Sequence, residues 1–362
     1  MTLRSLSLIG AAVLASVVAG PARAEGPTGF AFRPTVEAII RTVIVPAHEA
    51  FTAAAEMNRV ALDSLCAEPA ETTLETAREA FGTLVVRFSR IELYRFGPAR
   101  EDNNFERLFF WPDRRSRGLR QVTEVIRTED ESATELATLK AKSVAVQGLP
   151  ALEYVLFGND AEELATGAPF RCRYGATIAA AILDVAESIE AGWRGDFAHL
   201  METAGPENRL YRSHGEALQD ILQAGAEELQ LVDELKLGAV IGDAPEDAHP
   251  KRAPFWRSNL TLPSILANTE GVAAIAGEPL QALLAEEGNL AASVRFELAQ
   301  VARALDPLIA SGTPFETLAA EAEPHRRLTY ARSPIAAANR LLATRIPGAF
   351  GFVAGFNSMD GD

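Results

Sequence analysis

The sequence predicts an all-α fold. Alanine, leucine and glutamate, all strong helix formers, dominate the 362 residues. Apolar residues recur at the three- and four-residue spacing of a buried helical stripe. No series of short alternating apolar and polar segments marks a sheet. The chain is long enough to bury a large core and to form two lobes.

The N-terminus is read separately. Arg4 precedes an apolar run from Leu8 to Val18, followed by Gly20-Pro21 and the small-residue pattern Ala22-Arg23-Ala24. This is the pattern of a secretory signal peptide over residues 1–24, with cleavage expected after Ala24, and it is too short to span a membrane. No later stretch reaches about 18 uninterrupted apolar residues, so no transmembrane segment is expected in the mature chain. The expected location is the periplasm.

A formal net charge of −15 with no basic stripe argues against nucleic acid and anionic membranes as partners. It suits cationic partners such as metal ions. Cys66 and Cys172 are the only cysteines. In an oxidising compartment they read as one structural disulfide, the alternative being a two-thiolate metal site.

Residues 34–67 form one helical stretch with a kink or break expected at Pro46. Thr72 or Thr73 caps a second helix running to about Tyr94. Its apolar stripe is Leu74, Ala77, Phe81, Leu84, Val85, Phe88 and Ile91, and Glu92 continues that stripe. Gly97-Pro98 stops it. A loop from Asn103 to Arg117 carries Phe109-Phe110-Trp111-Pro112-Asp113. Shorter helices are expected over 117–128 and 131–146.

The next stretch, Gly148-Leu149-Pro150-Ala151-Leu152-Glu153-Tyr154-Val155-Leu156-Phe157-Gly158, places one carboxylate on an apolar helical face. Leu149, Leu152, Leu156 and Phe157 define that face and Glu153 shares it. Pro150 suits the first turn. A carboxylate there must be paired, protonated or bound, because an isolated buried charge is too costly.

A connector at Asp160–Tyr174 leads to long helices over about 175–202 and 207–237. Gly238–Pro254 is the clearest composition break. Helices near 263–275, 279–304 and 313–344 precede a glycine-rich tail. A short internal echo links Phe110-Trp111 with Leu149-Pro150-Ala151-Leu152 to Phe255-Trp256 with Leu262-Pro263-Ser264-Ile265. In the second copy Leu266 stands where Glu153 stands in the first.

Glu92 and Glu153 are the leading candidates for chemistry. Helical bundles build metal sites from acidic side chains on facing helices, and oxygen ligands favour hard or borderline ions including iron. Both are therefore expected as metal ligands in one pocket. Arg95, three residues after Glu92, can reach it, which leaves open a buried Glu–Arg pair that only fixes packing. Trp111 and Arg257 are candidate ligand-binding residues at a pocket rim. The five histidines do not form an H-E-x-x-H motif, and the sequence holds no G-x-S-x-G elbow, phosphate loop or C-x-x-C.

Taken together, the signal peptide, Ile91-Glu92 leading to Arg95-Phe96-Gly97-Pro98, Phe110-Trp111-Pro112-Asp113, Gly148 to Glu153 and the Gly355-Phe356-Asn357-Ser358 tail resemble the imelysin-like family, also called the insulin-cleaving membrane protease or M75 peptidase family. The resemblance covers residues 25–362. It implies two helical-bundle lobes of pseudo-twofold similarity, over about 34–170 and 173–350, with a metal or ligand site between them. It also implies a periplasmic role in iron uptake beside other periplasmic or outer-membrane iron-uptake proteins. The family hallmark G-x-H-x-x-E reads here with Gly148 and Glu153 in place and Pro150 instead of the histidine. Proline has no ring nitrogen to bind metal or move protons. The expected function is therefore a non-catalytic protein binding iron, another divalent metal or a metal chelate. The alternatives are an M75-type metallopeptidase and a structural or partner-binding periplasmic protein.

Overall fold

The computed structural model describes residues 30–352. The signal-peptide pattern and the Gly355–Ser358 part of the tail lie outside them. Among the described residues every regular element is helical, as expected. No helix there is long and apolar enough to cross a membrane.

The first stretch runs from Phe32 to Ala67 with a π turn at Ile40–Ile44. Pro46 lies just after that turn, in the first turn of Val45–Ala67. There its missing N–H costs little, so the stretch changes pitch and does not break. The next helix is Glu71–Ile91, and its predicted stripe is buried throughout. Its cap differs from expectation: Thr73 reaches back and accepts a hydrogen bond from the Ala70 N–H at 3.1 Å.

Several expected long helices are interrupted. The 131–146 segment consists of a turn at Glu131–Ala133, a short helix Leu136–Lys140 and a turn at Val144–Val146. Asp130 and Ser143 side chains accept from the backbone N–H groups of Ser132 and Ala145, at 3.1 and 3.3 Å. Such local bonds compete with helix propagation. Likewise the helix expected over 207–237 starts only at His214, because Asn208 Oδ1 accepts from the Leu210 and Tyr211 N–H groups and Ser213 caps the helix that follows, which runs on past Leu231 as a π turn at Val232–Gly238. The 279–304 segment splits into Glu278–Leu283 and Leu290–Ala310. The connector is shorter than expected, since a helix already starts at Pro169 and continues to Arg194.

The Val45–Ala67, Glu71–Ile91 and Pro169–Arg194 helices pack together, with Gly148–Phe157 against the last of them. A second group comprises His214–Leu231, Thr261–Ile275, Leu290–Ala310 and Ala322–Arg340. Glu71–Ile91 joins the groups by packing on Thr261–Ile275. Gly271 permits that crossing: a Cβ there would collide with the Arg90 carbonyl oxygen. One contiguous apolar core runs through both groups.

Cys66 and Cys172 form the expected disulfide, with Cα atoms 5.5 Å apart. It ties the end of Val45–Ala67 to the start of Pro169–Arg194.

Candidate functional site

Gly148–Phe157 is positioned at both ends. Gly148 takes φ +73°, and a side chain there would strike the Arg107 and Leu108 carbonyl oxygens, so only glycine lets the helix begin this close to the preceding segment. At the other end the buried Arg171 guanidinium donates to the carbonyls of Val155 and Tyr154, both at 2.9 Å, and of Asn159 at 2.6 Å. The helix C-terminus, where the Tyr154 carbonyl also accepts the Gly158 N–H at 2.9 Å, is thus closed by a cation, which suits the helix dipole. Leu149, Leu152, Val155 and Leu156 are fully buried between these anchors.

Glu153 is also buried, at 4 % exposure. Its Oε1 accepts from the Ser258 backbone N–H at 3.0 Å and from the Ser258 hydroxyl at 2.9 Å. Burial raises the Glu153 pKa, opposed by the Ser258 hydrogen bonds and the nearby Arg257 charge. The Ser258 turn is shaped to reach it: Phe255 and Asn259 both adopt left-handed φ of 57°, and the Leu260 N–H donates to the Phe255 carbonyl at 2.9 Å. Glu153 therefore anchors a turn from the second half of the chain.

A cavity of about 590 Å³ opens beside it, walled by Phe109–Arg114 on one side and Lys251–Arg257 on the other, with Pro150, Glu153 and Tyr154 also lining it. The two walls hold each other. Trp111 Nε1–H donates to the Arg252 carbonyl at 3.2 Å, and the Phe109 and Phe255 rings stack at 5.4 Å. The Phe110-Trp111 and Phe255-Trp256 parts of the sequence echo thus meet at this one cavity. Arg257 lies 4.4 Å from the Trp256 ring centroid and 5.4 Å from that of Tyr154. Lys251 stands 5.2 Å from Trp256 and 3.5 Å from Glu316. Asp113 is committed elsewhere: its carboxylate caps the helix Arg117–Thr128, accepting from the N–H groups of Arg117, Gly118 and Leu119.

Glu92 has a different neighbourhood. It closes the Glu71–Ile91 helix and is buried, but it does not line the cavity. Lys236 Nζ reaches its Oε2 at 2.6 Å, Arg95 Nη2 its Oε1 at 2.7 Å, and Asn268 Nδ2 donates to Oε2 at 3.0 Å. Glu228 completes the cluster, 3.4 Å from Lys236 and 3.3 Å from Arg95. Burial works to raise the Glu92 pKa, but Lys236, Arg95 and the hydrogen bonds outweigh it and hold the pKa below its usual value. Glu228 is pushed up to about 7 by burial and by the Glu92 charge.

That shift sets a pH dependence. The folded protein keeps a proton on Glu228 that the unfolded chain releases near the ordinary value of 4.5. The contribution favours folding at low pH and is lost as pH rises from about 4.5 to about 7. Glu228→Gln should therefore gain stability relative to wild type across that window, by on the order of 3 kcal/mol at its upper end. Melting temperatures measured from pH 4.5 to 8 check this; a constant offset between the two proteins would contradict it.

Glu153, Trp111 and Arg257 line one cavity. The expected pairing of Glu92 with Glu153 as ligands in a shared pocket needs correction. Glu92 is spent on Lys236, Arg95 and Asn268, whereas Glu153 is spent on Ser258. Among the described residues no three His, Cys, Asp or Glu side chains gather as a group able to hold a metal ion. His48 is a buried packing residue, bonded at 2.8 Å to the Ile44 carbonyl, its pKa lowered to about 4 by burial. His214 and His325 likewise bond to backbone carbonyls, of Glu202 and Ile241. Ser258, Glu228, Lys236 and Asn268 were not singled out from the sequence, although Glu228 and Lys236 follow the same helical stripe as Ile221, Gly225 and Val232.

Fold and cavity define an all-helical protein with a partly cationic, aromatic pocket between two halves of its chain. The peptidase M75 family profile, imelysin, matches residues 44–342, and the chain belongs to that family. An imelysin-like protein from Psychrobacter arcticum 273-4 has a similar structure, with a TM-score of 0.73 at 18 % identity over 90 % of this chain and 97 % of that one. A putative iron-regulated protein A precursor from Parabacteroides distasonis ATCC 8503 gives a TM-score of 0.70 at 16 % identity, covering 88 % and 96 %. No curated protein matches the chain.

Proposed function

We propose that this protein is a non-catalytic periplasmic component of iron or other metal acquisition that takes its cargo, an ion or a metal chelate, into the cavity beside Glu153. The observation that carries this reading is the meeting of Glu153, Trp111 and Arg257 at one 590 Å³ recess. Family membership and the name of the iron-regulated structural relative point the same way. In this reading the two groups of helices are two lobes of pseudo-twofold similarity, with the first extending to Arg194 instead of ending near residue 170, since Pro169–Arg194 packs on Val45–Ala67. The cleaved N-terminus delivers the chain to the periplasm, where other iron-uptake proteins are its partners.

Peptidase chemistry is disfavoured by the residues themselves. Metal-assisted hydrolysis normally needs about three protein ligands and a general base. Pro150, where the family hallmark has histidine, lines the cavity but offers no ring nitrogen. Glu92 supports the pocket from behind: its partner Lys236 stands 5.9 Å from the ring of Phe109, a cavity wall.

Protein purified without chelator should carry iron or another metal, measurable by elemental analysis. Glu153→Ala should lower that content at least about tenfold, a loss of about 1.4 kcal/mol in binding, because it releases the turn bearing Arg257. Unchanged metal content in a folded Glu153→Ala protein sinks the site assignment. Metal-dependent cleavage of a protein substrate, lost in Glu153→Gln, sinks the non-catalytic reading.

A further inference from the structure

The charge on the cavity wall says in what form such cargo arrives. Four cations line it, Arg114, Lys251, Arg252 and Arg257, against two acids, Asp113 and Glu153. Both acids are already engaged, Asp113 by three backbone N–H groups and Glu153 by Ser258. No carboxylate pairs with the side chains of Arg114, Arg252 or Arg257 among the described residues, while Lys251 touches Glu316 only at 3.5 Å. Three of the four wall cations thus lack a carboxylate partner among the described residues, in a protein of net charge −15. The adjoining stretch 105–120 adds Arg107, Arg115, Arg117 and Arg120.

Arg257 is prepared for an anion. Its guanidinium lies over the Trp256 and Tyr154 rings, and among the described residues its N–H donors make no side-chain hydrogen bond or ion pair, which leaves them to grip a carboxylate or similar oxyanion with two parallel bonds. The aromatic rings fix the group in place, so little side-chain entropy remains to be lost on binding. A bare divalent cation meets the opposite environment: four like charges, and no set of three ligating side chains.

Building on the metal-acquisition reading, we propose that the cavity binds its metal as an anionic oxygen-donor chelate, with Arg257 and Arg252 as the principal anion-holding residues and the metal supplied already coordinated by the chelator. Glu153 positions the Arg257 turn through Ser258.

The test uses the full mature protein. Two anionic probes, ferric citrate and ferric tris-catecholate, and two cationic ones, ferrous and zinc sulfate, are titrated while tryptophan fluorescence is followed. Two of the three tryptophans, Trp111 and Trp256, line the cavity. Equilibrium dialysis gives the stoichiometry. At least one ferric chelate should bind at one per chain, with affinity falling steeply as salt rises. Arg257→Gln combined with Arg252→Gln should weaken it at least about tenfold while the melting temperature is kept, because charge-assisted hydrogen bonds to an anion are the strong ones. Lys251→Gln serves as an exposed second variant and should weaken binding less. If ferrous or zinc ion binds more tightly than either chelate and the arginine changes leave that unaltered, the anionic form is wrong and metal acquisition stands. If no probe binds and purified protein carries no metal, both fall.

Discussion

Lys236→Met is expected to destabilise the folded protein by about 3–5 kcal/mol, the range for removing one partner of a buried ion pair. Lys236, Glu92 and Glu228 have fully buried side chains, and Arg95, about one-third exposed, is the only other cation in contact with the two acids among the described residues. Methionine preserves the length and apolar stem of lysine but leaves the Glu92 carboxylate and the Glu228 carboxyl to Arg95 alone, and withdraws a donor that Asn268 also accepts from at 2.8 Å. Chemical denaturation of the single variant and of Lys236→Met with Glu92→Gln should show strong non-additivity, the double variant recovering part of the loss. An additive pair would mean that Lys236 and Glu92 do not act as a unit.

Cys66→Ser or Cys172→Ser should cost a comparable amount. The cysteines are 106 residues apart, and the chain-entropy model assigns about 4–5 kcal/mol to closing a loop of that length. Reductant should lower the melting temperature of wild type to that of the serine variant and leave the variant itself unchanged. Equal melting temperatures with and without reductant in wild type would contradict this account of the bridge.

Much of this architecture was legible because helical burial repeats every three to four residues. The stripe on Glu71–Ile91 and the apolar face carrying Glu153 are both local patterns, and so is the proline at the start of Gly148–Phe157. The distant cysteine pair was legible from chemistry, as the two cysteines have no other thiol to choose. The partner of Glu153 was not. Ser258 lies 105 residues away and reaches the carboxylate only through a turn with two left-handed residues, a conformation that tertiary packing imposes. Glu92 and Glu153 looked equivalent because both sit on buried faces; which cation each meets depends on packing between helices. Lys236 was hidden for a different reason. A long aliphatic stem at a helix end ordinarily carries its ammonium out to water, and only the two buried acids around it keep it inside. The breaks within 131–146 and 207–237 came from side chains of Asp130, Ser143, Asn208 and Ser213 capturing backbone N–H groups.

The cavity between Phe109–Arg114 and Lys251–Arg257 is the central claim, and location is its most direct test. Crystals of the mature protein soaked in ferric citrate and in ferric tris-catecholate should show, at the iron absorption edge, an anomalous peak inside that cavity within reach of Arg257, absent in crystals of the Arg257→Gln, Arg252→Gln variant. An iron peak elsewhere in the molecule, at full occupancy and with the cavity holding none, would contradict the account.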